Sequence, residues 1–227
     1  MKRSEINKII KKFEGMLADY KFALPPFLYF TRDEWQTKGH EYDEIRDNML
    51  GWDVTDYGEG NYDALGLALI TIRNGNVHNE KYAKTYAEKI MMIEDGQISP
   101  MHFHWNKMED IINRGGGELV FKLYNVGEND TLADTDVEIS RDGCCYKVPA
   151  GEPVILKAGE SLTLFPYCYH EFTARPGTGT VLVGEVSMCN DDNTDNRFLE
   201  PLGRFPEIEE DEEPYRILCS EYPAAKD

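Results

Sequence analysis

The chain has 227 residues, of which 41% are hydrophobic, and this is enough to fill the core of one sizeable domain. Its formal net charge of −18 argues against nucleic acid or an anionic membrane as partner, because both bind clustered lysine and arginine. A small neutral substrate is therefore expected.

The first twenty residues have the pattern of an amphipathic helix. Apolar residues recur at three- and four-residue spacing, and Ser4 is placed to cap the first turn. These apolar residues are Ile6, Ile9, Ile10, Phe13, Met16, Leu17 and Tyr20. Because there is no signal-peptide core and no apolar run of about 18 residues, a soluble cytoplasmic protein is predicted.

The segment from Phe22 to Gly66 is irregular and rich in proline, aspartate, glycine and aromatic residues, which predicts extended segments and ordered loops. Residues 1–66 are thus expected to form a helical and extended N-terminal extension. A barrel with a C-terminal extension is expected over residues 67–227. Within that extension, the acidic run Glu207–Glu213 is predicted to be a solvated loop.

Short β-rich runs follow one another from Leu67 onward, with glycine, aspartate and proline between them. The runs are Leu67–Arg73, Thr85–Ile93, Leu119–Tyr124, Asp136–Ser140, Cys145–Val148, Val154–Leu156, Ser161–Phe165, His170–Ala174 and Val181–Ser187. Such regular spacing predicts an all-β sandwich or barrel.

His102, His104 and Glu109 are spaced so that they can bind one metal ion. Residues two apart on a strand point to the same face, so the two imidazoles project together, and a following turn returns the carboxylate toward them. A triplet of this kind arises by chance in about one chain per hundred of this composition.

The order Gly-x5-His-x-His-x4-Glu-x6-Gly, from Gly96 to Gly116, resembles the first motif of the cupin superfamily. Gly159-x6-Pro166-x3-His170 resembles the second motif. The resemblance implies a cupin jelly-roll barrel in which His170 is the fourth metal ligand. Three imidazoles and one carboxylate suit Mn²⁺, Fe²⁺, Co²⁺, Ni²⁺ or Zn²⁺.

The second motif departs from the family pattern at two positions. This chain has Cys168 where the family usually has a glycine, and Ala174 where it usually has an asparagine.

Residues 101–117, 165–172 and 184–192 resemble the D-lyxose isomerase branch of the cupins, and the resemblance extends to residues 52–58. It implies reversible conversion of D-lyxose to D-xylulose and of D-mannose to D-fructose, with Mn²⁺ as the usual metal. Because related barrels often pair, a homodimer is expected.

Glu185 interrupts the apolar run Val181–Val186 and is the best candidate for the base. Burying a carboxylate is costly unless it has a catalytic function or a charged partner. In our hypothesis Glu185 and Glu109 face each other across the sugar and move a proton between C2 and C1 through a cis-enediol. Which glutamate starts the reaction stays open. The alternative is a structural Glu185 paired with Arg114 or Arg175.

Lysine and other polar residues near the motifs are candidates for binding the sugar. Lys107 lies between the ligands and is predicted to hold a hydroxyl or stabilise an oxyanion. Lys89, Asp191 and Arg197 are further candidates for substrate binding. Trp52 and Tyr57 are candidates for covering the barrel mouth.

Two rival functions use the same fold. One is an Fe²⁺-dependent dioxygenase on the same four side chains, and the other is a sugar-binding cupin without turnover. Lys107 and Glu185 favour proton transfer over oxygen activation.

Overall fold

The structure is a computed structural model that describes residues 1–226; Asp227, at the end of the predicted barrel segment, lies outside the described residues. The α-helices are α1 (Arg3–Asp19), α2 (Arg32–Trp35) and α3 (Asp43–Asp47). The strands are β1 (Gly51–Thr55), β2 (Leu67–Arg73), β3 (Tyr86–Ile93), β4 (Ile98–His104), β5 (Glu109–Gly116), β6 (Leu119–Val126), β7 (Leu132–Ala133), β8 (Val137–Arg141), β9 (Cys144–Val148), β10 (Val154–Leu156), β11 (Ser161–Leu164), β12 (Cys168–Ala174), β13 (Val181–Met188) and β14 (Asn196–Phe198).

These strands form two antiparallel sheets that curl into a barrel. The larger has the order β1-β2-β3-β13-β5-β11-β8-β9, and the smaller has the order β10-β6-β12-β4-β14 with β7 paired to β6. The predicted all-β cupin jelly-roll fold with an N-terminal helix is confirmed.

Strands β1 to β3 of the larger sheet are largely buried on both faces. On β2, Leu67 and Leu69 face the barrel core, whereas Ala68, Ile70 and Ile72 face a second core beneath helix α1, the helix-side core. Successive residues of a strand point to opposite faces, so burial of both faces produces the nearly continuous apolar sequence of β2.

Strand β1 lies in the segment for which extended structure and loops were predicted. It pairs with β2 from Gly51 opposite Thr71 to Thr55 opposite Leu67. Segment 1–66 therefore contributes a strand to the larger sheet, while its division from 67–227 as a separate unit stays a prediction.

Helix α1 begins at Arg3 with Lys2 as its N-cap, so the prediction that Ser4 caps the helix is wrong. Ser4 instead donates from its backbone and its hydroxyl to the carboxylate of Asp211, at 2.9 and 2.8 Å. The carboxylate of Glu210 accepts from the fully buried Arg3 guanidinium at 2.6 and 2.8 Å.

The acidic run predicted as a solvated loop is therefore bound to the start of the helix. Asn7 adds a hydrogen bond of 2.8 Å to Glu212. Within residues 1–226, none of the helices has both the length and the apolar composition needed to cross a bilayer.

Candidate metal centre and active site

Two neighbouring strands bring three histidines together. His102 and His104 lie two residues apart on β4, and His170 on β12 is paired with His102 across the sheet. Directly paired residues of antiparallel strands place their side chains on the same face. One ring nitrogen from each histidine lies within 4.8 Å of the others, a group that could hold a metal ion.

Backbone carbonyls orient two of these imidazoles. The Nδ1 of His102 lies 2.8 Å from the carbonyl oxygen of Pro100, and the Nδ1 of His170 lies 3.0 Å from that of Cys168. A carbonyl oxygen can only accept a hydrogen bond. The proton of each neutral ring is therefore on Nδ1, and Nε2 has a lone pair for a cation.

Burial, followed by the neighbouring imidazoles, lowers the pKa of His102 well below its usual range. Its ring is therefore neutral, which is the form that binds metal. The two ring nitrogens of His104 are buried and have no hydrogen-bond partner among residues 1–226. A buried polar atom without a partner is costly, and a bound cation would satisfy it.

Glu109, the first residue of β5, supplies a carboxylate to this group. Its Oε1 lies 3.2 Å from Nε2 of His104 and 3.3 Å from Nε2 of His170, while its Oε2 lies 2.7 Å from Nζ of Lys107. Burial raises the pKa of Glu109, but the charge of Lys107 and the adjacent His104 outweigh it and hold the pKa well below its usual range. An ionised carboxylate beside three imidazoles fits a divalent cation.

Glu185 and Lys107 lie beside the metal group. Nζ of Lys107 is 3.2 Å from Oε1 of Glu185, and the hydroxyl of Ser187 donates to the same oxygen at 3.0 Å. The alternative partner Arg175 instead binds Glu118 at 2.7 Å. Glu185 is therefore paired with an ammonium of the site rather than with that arginine.

Lys107 is 4% exposed. Burial alone would lower its pKa, but the charges of Glu109 and Glu185 reverse the effect and raise the pKa above its usual range. The side chain therefore stays an ammonium, which can donate hydrogen bonds and stabilise negative charge but cannot act as a base.

The three histidines, Lys107 and the two glutamates line one cavity of the barrel. Lys89 is buried on β3, and its side chain lines this cavity too. Its Nζ lies 2.6 Å from Oδ1 of Asn190 and 3.6 Å from Oε1 of Glu185. Strand pairing explains the second contact, because Lys89 is directly opposite Glu185 on β13.

Two predicted substrate-binding residues do not line this cavity. Asp191 lies 2.8 Å from Nε2 of His78, and Arg197 is directed toward Asp130, with Nε 3.5 Å from Oδ2. That Asp191 and Arg197 bind the substrate stays a prediction.

Two charged residues that the sequence analysis did not identify line the cavity instead: Asp192 and Arg204. Nη2 of Arg204 lies 3.0 Å from Asp192 and 2.6 Å from Asp53, while its Nη1 is buried without a hydrogen-bond partner in the described chain. Both residues lie on irregular segments, where sequence periodicity gives no signal.

The two aromatic candidates are in different places. Tyr57 lines the cavity, with its hydroxyl 3.5 Å from that of Ser99. Trp52 belongs to the helix-side core and donates to the carbonyl of Leu28 at 2.8 Å.

Comparison with known proteins identifies close relatives over the full length. The family described as D-lyxose isomerase matches residues 1–222. Proteins named D-lyxose/D-mannose isomerase from Serratia proteamaculans and from Escherichia coli O157:H7 are each 48% identical over 223 residues, covering 98% of both chains.

Solved structures share the fold at much lower sequence identity. The L-ribose isomerase of Cellulomonas parahominis with L-ribose has a TM-score of 0.59 at 17% identity, covering 92% of this chain and 98% of that one. The L-ribose isomerase of Geodermatophilus obscurus has a TM-score of 0.58 at 16% identity, with 88% and 92% covered. From the family match and the two curated relatives, this chain belongs to the D-lyxose isomerase family and is a sugar isomerase.

Proposed function

We propose that this sugar isomerase interconverts D-lyxose with D-xylulose and D-mannose with D-fructose. We further propose that it uses a divalent cation, with Mn²⁺ as the first candidate. The names of the relatives at 48% identity support these substrates. The observation that carries the proposal is one buried cavity in which His102, His104, Glu109 and His170 adjoin a second carboxylate, Glu185.

The proposed cation site consists of the three imidazoles and the Glu109 carboxylate. A divalent cation bound there would polarise the carbonyl group of the open-chain sugar and stabilise the negative charge that develops on its oxygen. Burial lowers the pKa of His102 and of His104, so these two imidazoles and the ionised Glu109 are already in the protonation states that such binding requires.

Isomerisation moves one proton from C2 to C1 of the sugar and another from the C2 hydroxyl to the C1 oxygen. We assign the removal of the C2 proton, which produces a cis-enediol, to Glu185. Glu109 is the weaker base, because neighbouring positive charge stabilises its ionised form, and it helps to return the proton.

The two buried lysines serve this chemistry as ammonium groups. Lys107 contacts both glutamates, so its charge is close to the place where an enediolate oxygen would form. Lys89 lies 3.6 Å from the same oxygen of Glu185 as Lys107 and can donate to sugar hydroxyls. Their charges also compensate the two buried carboxylates in the absence of substrate.

The decisive experiment is incubation of Mn²⁺-loaded protein with D-lyxose and with D-mannose, with detection of the ketose. The expected result is ketose formation that a chelator abolishes and that added Mn²⁺ restores. Chelator-resistant turnover would remove the cation from the proposal. Sugar binding without turnover would indicate a binding protein, and oxygen uptake would indicate the dioxygenase.

We also propose that the protein is a homodimer, on the basis of an exposed apolar row that runs from strands β3 and β13 into the loops before β5 and after β11. The row consists of Tyr86, Met108, Phe165, Tyr167, Val186 and Met188. Tyr86 is paired with Met188, the Met188 amide donates to the Met108 carbonyl, and the pairing of Leu164 with Glu109 places Phe165 beside Met108.

Six side chains that are each about half exposed present on the order of 600 Å² of mainly apolar surface, near the ~800 Å² that one partner contributes to a standard interface. Light scattering should give a dimer for the native chain and a monomer for the double variant Val186→Lys and Met188→Lys. Val77→Lys, at a position that is 62% exposed elsewhere, is the control and should stay dimeric. A monomeric native protein would refute this proposal.

A further inference from the structure

Asn190 follows strand β13 by two residues, and its side chain contacts the two buried lysines. Its Oδ1 accepts from Nζ of Lys89 at 2.6 Å and from Nζ of Lys107 at 3.3 Å. Asp192, two residues further on, lies 3.9 Å from Nζ of Lys89 and binds Arg204. One neutral side chain therefore accepts hydrogen bonds from both ammonium groups.

The chemistry of these partners fixes the orientation of the amide. An ammonium group only donates hydrogen bonds, so the oxygen of Asn190 must face the lysines. The amide nitrogen therefore faces away from the two lysines. A primary amide accepts from both lysines without adding charge, whereas an aspartate here would add a negative charge close to Asp192.

The backbone of Asn190 is itself held in place. Asn74 accepts from its backbone nitrogen at 2.9 Å and donates to its carbonyl oxygen at 2.9 Å. Asn48 and Asn74 each donate from their side chains to the other's backbone carbonyl, at 3.2 and 3.3 Å. Both of these asparagines are buried. The amide that holds the lysines is thus anchored to a rigid polar network outside the reacting centre.

Sharing the ammonium groups with Asn190 has a geometric consequence for Glu185. Its Oε1 lies 3.2 Å from Lys107 and 3.6 Å from Lys89, both longer than the 2.7 to 2.9 Å of a tight charge-assisted hydrogen bond. Without Asn190 the lysines would have only carboxylates as partners and would move toward Glu185. A tighter pair would pull that carboxylate away from the substrate.

We propose that Asn190 is a positioning residue, which sets where the Lys89 and Lys107 ammonium groups lie relative to Glu185 and keeps the carboxylate free for the sugar. The kinetic part of this inference rests on the proposed isomerase function. The placement of the lysines does not depend on it.

The test replaces the amide by an apolar group of the same size, Asn190→Leu, with Asn190→Ala as a second variant if the first is poorly folded. A displacement of about 1 Å at a reacting centre can cost about 10²-fold in rate, so kcat/KM should fall by about that factor while bound Mn²⁺ is retained. Asn125→Leu is the matched control, because it also removes two side-chain hydrogen bonds, at a residue that does not line the cavity, and should have native kinetics.

A double-mutant cycle separates positioning from a general structural defect. In the Lys89→Met background, Asn190→Leu should lower kcat/KM by a much smaller factor than in the native chain, because half of what it positions is gone. Equal factors in both backgrounds, or native kinetics of Asn190→Leu, would overturn the inference.

Crystal structures of the native protein and of Asn190→Leu test where the two ammonium groups lie, independently of any turnover. Both ammonium groups should move from 3.2 and 3.6 Å to the 2.7 to 2.9 Å of a tight charge-assisted hydrogen bond with Glu185 in the variant, and unchanged positions would overturn the inference even if neither sugar is a substrate. Absence of turnover in the native protein would instead refute the proposed function.

Discussion

The two ends of the barrel interior differ sharply in the side chains that line them. At one end Phe121, Leu156 and Leu162 are fully buried in an apolar core. At the other end, the cavity is lined by three cationic side chains and three carboxylates, which are Lys89, Lys107, Arg204, Glu109, Glu185 and Asp192.

Charged and apolar residues lie only two positions apart on the same face of a strand. Glu109 and Ile111 share a face of β5, Glu185 and Val183 share a face of β13, and on β3 Lys89 is followed two residues later by an apolar Met91. The apolar end supplies the stability that allows adjacent positions to hold buried charges, and the equal numbers of cations and carboxylates reduce the cost of burying them.

The largest expected effect comes from neutralising one buried charge at the polar end. Glu185→Gln should reduce turnover by at least about 10³-fold, because it removes the proposed base, while bound Mn²⁺ remains at the native level. Glu138→Gln, an exposed position on β8 of the same sheet, is the control and should have native activity. Near-native turnover of Glu185→Gln would exclude this residue from the mechanism.

A truncation at the apolar end should reduce stability and leave turnover almost unchanged. Leu162→Ala should lower the free energy of unfolding by about 3 kcal/mol, because it leaves a cavity at a position with no solvent exposure. At low temperature the folded variant should keep its turnover within a few-fold. A loss of activity without a loss of stability would contradict the separation of the two ends.

Metal binding should couple the polar end to global stability. Mn²⁺ at about 100 times its Kd should raise the free energy of unfolding by about 2.7 kcal/mol, measured as a rise in Tm that a chelator reverses. His104→Leu should abolish this increase, because it removes one of the cation's four ligands and the two unpartnered nitrogens. An equal Tm rise in that variant would place the metal elsewhere.

The smallest effect is expected outside the barrel, where Glu210 binds Arg3. The hydrogen bond from Arg3 lowers the pKa of Glu210 below its ordinary value of 4.5. The resulting stabilisation is therefore present above that value and is lost as the pH falls through the lowered pKa of the folded state. Because the Glu210 side chain is about half exposed, Glu210→Gln should lower the free energy of unfolding by only about 0.5 to 1 kcal/mol at pH 7.

Urea unfolding between pH 7 and pH 3 checks the sign of this effect. The difference between native protein and Glu210→Gln should shrink on acidification, while Glu152→Gln, an exposed control, should differ little at any pH. A difference that grows toward low pH would be inconsistent with a stabilising ionised Glu210.

Sequence reasoning identified the part of the site that lies on regular strands. His102, His104 and Glu109 form a local pattern, and Glu185 stands out because it interrupts an apolar strand. The side chains of all four are brought together, as is His170 from the paired strand.

The missed residues lie where the backbone is irregular. Asp191 and Asp192 are adjacent, and without a strand period the sequence does not show which of them faces the cavity. Arg204 likewise lies outside the strands, six residues after the end of β14. Ser4 failed as a cap for a different reason: its partner Asp211 is distant in sequence, so local capping patterns cannot include it.

The burial of Arg3 has a consequence for synthesis on the ribosome. Its carboxylate partner Glu210 is 207 residues away, and a second partner, Glu221, is 218 residues away. At about 5 to 20 residues per second, these partners are made about 10 to 40 s after the arginine. Helix α1 is therefore locked in place only at the end of translation, after every strand of the barrel has been made.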